Sequence, residues 1–366
     1  MKRILIIFCI IGIVSTGCHN KKQQDEEANV VELTEASVAE FAQRIETSIL
    51  NGNPMILNNA FAENIIRDSI SQNSIVYSSL DTDFGQAFWK SNFRLGDYCA
   101  TMVNEGGDFK FVRQYVKDGQ HHIIFRTYCD YSLRIDDFVV CAGDTSLKIV
   151  DGFIYNLSTS FIHNLQYDML YQILQKTDPE GITRYLSEAT TLLDQGQSAE
   201  ALKTLSEHSD LLQEYPYFWQ MLIRAQYETN PKNFIQELDK LASLGFDERA
   251  ILTHKLLYYA NQGEVQATEE VINRLIEFTG DDPIYLLFYG RANFVSGYYK
   301  DALTCYQNAA ENLPLLWDIW YSLLECYAQL NDKENFCKTA GMAVESFGMT
   351  NDEITELTRK DFPKMK

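Results

Sequence analysis

The stretch "LLFYGRANFVSGYYKDALTCYQNAAENLP", residues 286–314, decides how the second half of this chain folds. Two apolar, helix-spaced segments flank Gly297, a residue that tolerates the left-handed turn between antiparallel helices. Gly290, Ala302 and Ala309 are small, as two closely crossing helices require, and Pro314 ends the unit. The same layout flanks it on both sides. Gly263 lies 34 residues before Gly297 and Asn331 lies 34 after, each between helical stretches ("LLYYANQGEVQATEEVINRLIEF", 256–278; "WYSLLECYAQLNDKENFCKTAGMAVESFG", 320–348). Weaker copies precede these, with Ala189, Gly196 and Ala201 at matching offsets in 185–216 and Asn230-Pro231 at a turn in 217–246. The spacing predicts about five helix pairs over residues 178–348. Asp178 would be the N-cap, with Pro179 at the first helical position, and residues 349–366, including Pro363, would form a short cap.

The middle unit resembles a tetratricopeptide repeat. Gly290 fits the small position where its helices cross, Gly297 the turn, and Tyr299, Ala302, Tyr306 and Ala309 the second helix. The resemblance implies an all-α solenoid whose concave groove, lined by first helices, holds an extended peptide or helix of a protein partner. Register places His254, Arg291, Phe294, Tyr321 and Glu325 on that groove. The lysine–asparagine clamp by which chaperone-binding members grip a terminal carboxylate does not occur here. His254 stands alone and reads as a groove residue, not as a metal ligand.

The first half has another character, and its fold class is α+β. Val38, Phe41, Ile45 and Ile49 repeat at helical spacing, with Ser37 and Glu40 like a capping box. A second helix is expected from Pro54 through Phe61, Ile65 and Ile66. The period then changes to two. "FKFVRQYV" (109–116) alternates, "KDGQ" (117–120) supplies an Asp-Gly hairpin turn, and "HHIIFRTYCDYSL" (121–133) runs back. "DFVVCAG" (137–143) and "LKIVDGFIYNLSTSF" (147–161) follow as strands, and "FIHNLQYDMLYQILQ" (161–175) as a helix. Two or three helices before a curled antiparallel sheet resemble the nuclear transport factor two-like, or cone-shaped, fold. The resemblance covers about residues 35–160 of a domain spanning 35–175 and carries no catalytic signature. His121 and His122, adjacent on a strand, face opposite ways and cannot share one metal ion. His122, Tyr128 and Asp130 share a parity, which would allow proton transfer in a cone pocket, though ordinary sheet decoration explains them better. Asp136 and Asp137 read as part of a loop.

At the start, Lys2 and Arg3 precede an apolar run, Ile4 to Val14, of secretory length and too short to span a bilayer. "STGC" (15–18) resembles the lipobox of bacterial lipoproteins. That resemblance implies removal of residues 1–17 and acylation of Cys18, with each buried CH₂ contributing about 0.8 kcal/mol to anchoring. Residues 18–34 are then a polar tether, and His19, where aspartate would signal retention in the inner membrane, favours the outer membrane of a Gram-negative envelope, on its periplasmic face.

Net charge is −20, which argues against nucleic acid and against broad contact with anionic lipid beyond the anchor. No glycine-rich phosphate loop, GxSxG, HExxH or zinc-type cysteine spacing occurs, so no cofactor, metal or reaction is expected. The expectation is a non-enzymatic, lipid-anchored scaffold that binds an envelope protein through its repeat groove. The alternatives are a small-molecule or weakly enzymatic cone domain with the repeats as adaptor, and glycan capture on aromatics such as Trp317 or Trp320.

Overall fold

The computed structural model describes residues 32–365, apart from 72, 73, 93, 130, 131, 156–158, 178–180, 214, 244 and 245. The signal segment, Cys18, most of the tether, Asp130, Asp178 and Pro179 lie outside the described residues.

The chain opens on α1 (Glu35–Leu50), whose Val38, Phe41, Ile45 and Ile49 are buried as their spacing requires. Its capping box is Thr34 with Ser37, one turn earlier than Ser37 with Glu40. The expected second helix is two: α2 (Met55–Asn58) and α3 (Glu63–Ile70). Phe61 stands between them in an isolated parallel bridge to Ile149. Three further helices, α4 (Ser74–Leu80), α5 (Asp83–Asn92) and α6 (Leu95–Asn104), precede the sheet. Among the described residues the sheet therefore follows six helices, not two or three.

Its five strands form an antiparallel meander in sequence order: β1 (Asp108–Lys117), β2 (Gln120–Cys129), β3 (Ser132–Ala142), β4 (Leu147–Ile154) and β5 (Thr159–Ser160). Asp118 and Gly119, both left-handed (φ 52° and 77°), make the β1–β2 turn in the geometry that Asp-Gly favours. Register shifts at Phe111/Arg113 and Val139/Val140 curl the sheet. Then comes α7 (Phe161–Thr177).

Helix pairs follow: α8 (Ile182–Asp194) with α9 (Ser198–Glu207), and, after the single turn α10 (Ser209–Leu212), α11 (Pro216–Thr229) with α12 (Phe234–Ser243). Next are α13 (Glu248–Gln262) with α14 (Val265–Thr279), α15 (Ile284–Val295) with α16 (Tyr299–Asn312), and α17 (Trp317–Leu330) with α18 (Lys333–Phe347). The single helix α19 (Asn351–Asp361) and a 3₁₀ turn (Pro363–Met365) end the chain. Gly263, Gly297 and Asn331 are all left-handed, at φ 74°, 81° and 55°. A Cβ on Gly290 would sit 2.6 Å from the Tyr306 ring, and Ala302 and Ala309 are fully buried. Close helix crossing is the physical need that keeps these positions small.

The sheet is covered on both faces. Phe109, Ile123, Phe125, Phe138, Val140 and Ile149 pack with α1–α7, and Phe61 stacks on Phe161 at 4.9 Å. The opposite face, with Ile124, Tyr128, Leu133, Ile135 and Tyr155, packs with residues of α13–α18. Each such large apolar side chain contributes roughly 1.5–3 kcal/mol by leaving water. Burial on both faces is why "HHIIFRTYC" runs apolar with weak alternation.

Candidate functional site

Two sets of polar residues stand out: one at the seam between sheet and helix pairs, one on the first helices of the last pairs.

At the seam, Tyr115 and His122 face each other across β1 and β2, their rings stacked at 4.6 Å. Asp137 on β3 is 2% exposed. It accepts the Tyr115 hydroxyl at 2.5 Å and Arg249 Nη1 at 3.1 Å, and meets His122 Nδ1 at 3.0 Å. Arg249, in the first turn of α13, also lies 3.7 Å over the Phe153 ring and is gripped by Asp247. Burial, reinforced by Asp137, pushes the Tyr115 phenol above its usual range; burial pushes Tyr155 up to about 12. Both phenols therefore stay protonated at neutral pH.

Along the same face, Arg126 is 1% exposed. It donates Nε to Asp282 at 2.9 Å and Nη2 to Asp108 at 2.8 Å. Asp282 also accepts the Ile284 amide at 2.9 Å, at the positive end of α15. Tyr128 donates to Asp318, in the first turn of α17, at 2.7 Å. The sheet thus meets the N-terminal ends of three successive first helices.

Of the proton-transfer set His122, Tyr128 and Asp130, the first two are engaged in different places, and Asp130 lies outside the described residues. His122 turns to Tyr115 and Asp137, while Tyr128 reaches Asp318. Asp136 and Asp137 are not in a loop. Both lie within β3, Asp136 facing Arg134 at 2.8 Å and Asp137 facing the seam. Three donors converge on the Asp137 carboxylate, so it is spent on structure and poorly placed to serve as a base. Among the described residues no group of three or more His, Cys, Asp or Glu is arranged to hold a metal ion.

The groove residues lie elsewhere, and all five are half-buried. His254 is on α13, Arg291 and Phe294 on α15, Tyr321 and Glu325 on α17. Arg291 Nε donates to Asn261 Oδ1 at 3.4 Å, a long bond. Phe294 meets Tyr299 edge-on at 5.3 Å. Tyr321 and Glu325 open onto a pocket of about 460 Å³ completed by Asp361, Phe362, Pro363 and Lys364 from the chain end. Burial raises the Glu325 carboxyl; Arg291 pulls it back down and Asp361 adds to the rise. Arg291 on α15 and Asp361 at the end of α19 thus both act electrostatically on Glu325 of α17. No family model, curated protein or solved structure matches this chain.

The contribution of Asp361 and Lys364 was missed in the sequence. The signal was there, since 34 residues after Trp317 comes Asn351, where α19 begins. Trp320 is buried with its indole N–H on the Pro314 carbonyl at 2.8 Å, and Trp317 packs against Phe347. Trp320 is thus held in the core, whereas Trp317 is half-buried.

Proposed function

We propose that this chain is a lipid-anchored scaffold of the bacterial envelope. In this reading Cys18 carries the acyl anchor in the outer membrane, on its periplasmic side, and tetratricopeptide-type helix pairs hold a protein or peptide partner. The repeat reading is supported by left-handed Gly263, Gly297 and Asn331 at 34-residue intervals and by the tight Gly290–Tyr306 approach. The observation that carries the binding role is the set Arg291, Phe294, Tyr321 and Glu325. Each is half-buried, and the last two line a pocket of about 460 Å³ closed by the chain's own end. Arginine and aromatic side chains on a concave surface are the types that dominate interfaces. The sheet, in general shape like a cone-type module, serves in this reading to brace the helix pairs, and no reaction is assigned to it.

The test is a crosslinked capture from envelopes, paired with melting curves. Arg291→Ala with Phe294→Ala should melt close to wild type and lose one defined envelope partner that wild type retains. A folded double variant that keeps every partner would remove the groove from consideration. Separately, Cys18→Ser should release the protein from membranes or leave its precursor uncleaved.

A further inference from the structure

The run of helix pairs ends on an unfilled slot. Between α18 and the single helix α19 lies a groove of about 520 Å³. Cys337, Gly341 and Val344 line it from α18, and Ile354, Thr355 and Thr358 from α19. One pair earlier the corresponding face of α16 is closed. There Leu303 and Ala310 pack against the core, and Gln307 donates to Tyr327 of α17 at 3.1 Å. Cys337 and Gly341, 34 residues after Leu303 and Gln307, are smaller. A Cβ on Gly341 would meet nothing within 4 Å, and α19 buries none of its residues fully. Beside the slot, Met342 is 45% exposed.

The rims carry charge in an order that matches itself. On α18, Lys338 precedes Glu345 by seven residues, about two turns, so both lie on one stripe. On α19, Asp352 precedes Arg359 by the same interval. Only residues 348–350 join the two helices, so they run antiparallel. Glu345 and Asp352 therefore share the end next to that turn, and Lys338 and Arg359 share the other. All four are exposed. Among the described residues Lys338, Glu345 and Asp352 have no ion-pair partner, and Arg359 pairs with Glu356 on its own helix, an exposed pair of little worth.

We propose that this slot is the docking face for a second copy of the chain, related by a two-fold axis, with Met342 of each copy seated in the slot of the other. A two-fold axis sets a patch against itself, turned end for end. It therefore brings the acidic end of one slot to the basic end of the other, twice over. Most surfaces of a chain with net charge −20 would repel their own copy, whereas these four residues sum to zero and alternate as the axis requires. A thioether suits an irregular apolar gap. The face is separate from the Arg291–Phe294 groove, so its failure would leave the scaffold reading untouched.

Sedimentation equilibrium of the full chain in density-matched detergent tests this. Wild type should dimerise, and raising salt from about 0.1 M to about 1 M should weaken the dimer. Lys338→Glu with Arg359→Glu makes both ends acidic, and Glu345→Lys with Asp352→Lys makes both basic. Each double variant should stay folded by melting curve and self-associate about tenfold more weakly or worse. Mixed together, the two should form one-to-one dimers. Gly341→Trp, whose side chain has open space to fill, should melt no lower than wild type and be monomeric; should a charge reversal unfold the chain, this variant decides. A monomeric wild type, double variants that dimerise as well as wild type, a mixture that does not pair, or a dimeric Gly341→Trp would overturn the proposal. A different protein held in the slot of a monomeric chain would overturn it equally.

Discussion

At the seam, Asp137 and Asp282 are almost wholly buried, and each is met by a guanidinium, at 3.1 and 2.9 Å. At the groove end, Glu325 is half-buried, and Arg291 spends its long hydrogen bond on Asn261 instead. Both regions set carboxylates near arginines, but only the seam completes the pairing. A buried carboxylate with every partner in place is a fastener, because opening it strands charge in an apolar setting. A half-buried carboxylate that still faces solvent has bonding capacity to offer. On this molecule, completed pairing of the carboxylates separates what holds the fold from what is proposed to meet a partner.

The sharpest way to break this comparison is to remove Arg126. Arg126→Ala leaves Asp108 and Asp282 facing each other with no cation, and should cost about 3–5 kcal/mol in urea denaturation. Adding Asp282→Asn should recover part of that loss, because one stranded charge is gone. A cost near zero for the single variant would mean that the seam is not a fastener. Next in size is Arg249→Lys. A lysine keeps the charge but loses the planar fork that spans Asp137 and Asp247 and the stacking on Phe153, so about 1.5–3 kcal/mol should be lost.

The smallest effect is expected at Glu325. Its carboxyl is raised in the folded chain, so the folded state holds the proton more tightly than the unfolded one. The resulting stability is full below the ordinary carboxylate range and is lost as pH rises through the raised value. Glu325→Gln should therefore match wild type in acid and melt about 1–2 °C higher at neutral pH. A lower melting temperature at neutral pH would show that Glu325 is paired as firmly as Asp137, and the contrast would collapse.

Much of the architecture was legible because it is written in local periods. The 34-residue spacing, the Asp-Gly turn and the heptad-like Val38, Phe41, Ile45 and Ile49 each state a need that neighbouring residues reveal. The helices α4 and α5 were missed because "SIVYSSL" and "DFGQAFWKSN" mix β-branched, aromatic and polar residues without a clean apolar stripe. The strand from His121 was read through to Leu133, although β2 ends at Cys129, because a strand buried on both faces does not alternate. Asp136 and Asp137 were mistaken for loop because adjacent aspartates usually seek water. Here Arg134 and Arg249 supply the compensation, and Arg249 lies 112 residues away from Asp137. The proposed groove positions rest on repeat register, whereas the pocket around Tyr321 also needs Asp361 and Lys364, which register alone does not suggest.

Sequence distance across the seam has a kinetic consequence. The β1–β4 meander pairs neighbours in the chain, so it can form early, soon after residue 154 is available. Its second face must wait. Arg126 meets Asp282 across 156 residues and Tyr128 meets Asp318 across 190. A chain emerging from its N-terminal end therefore presents Ile124, Leu133, Ile135 and Tyr155 bare to the surroundings until most of the helix pairs have followed. That interval is the window in which such a surface sticks to other chains. A chain cut short before residue 282 would never leave that window.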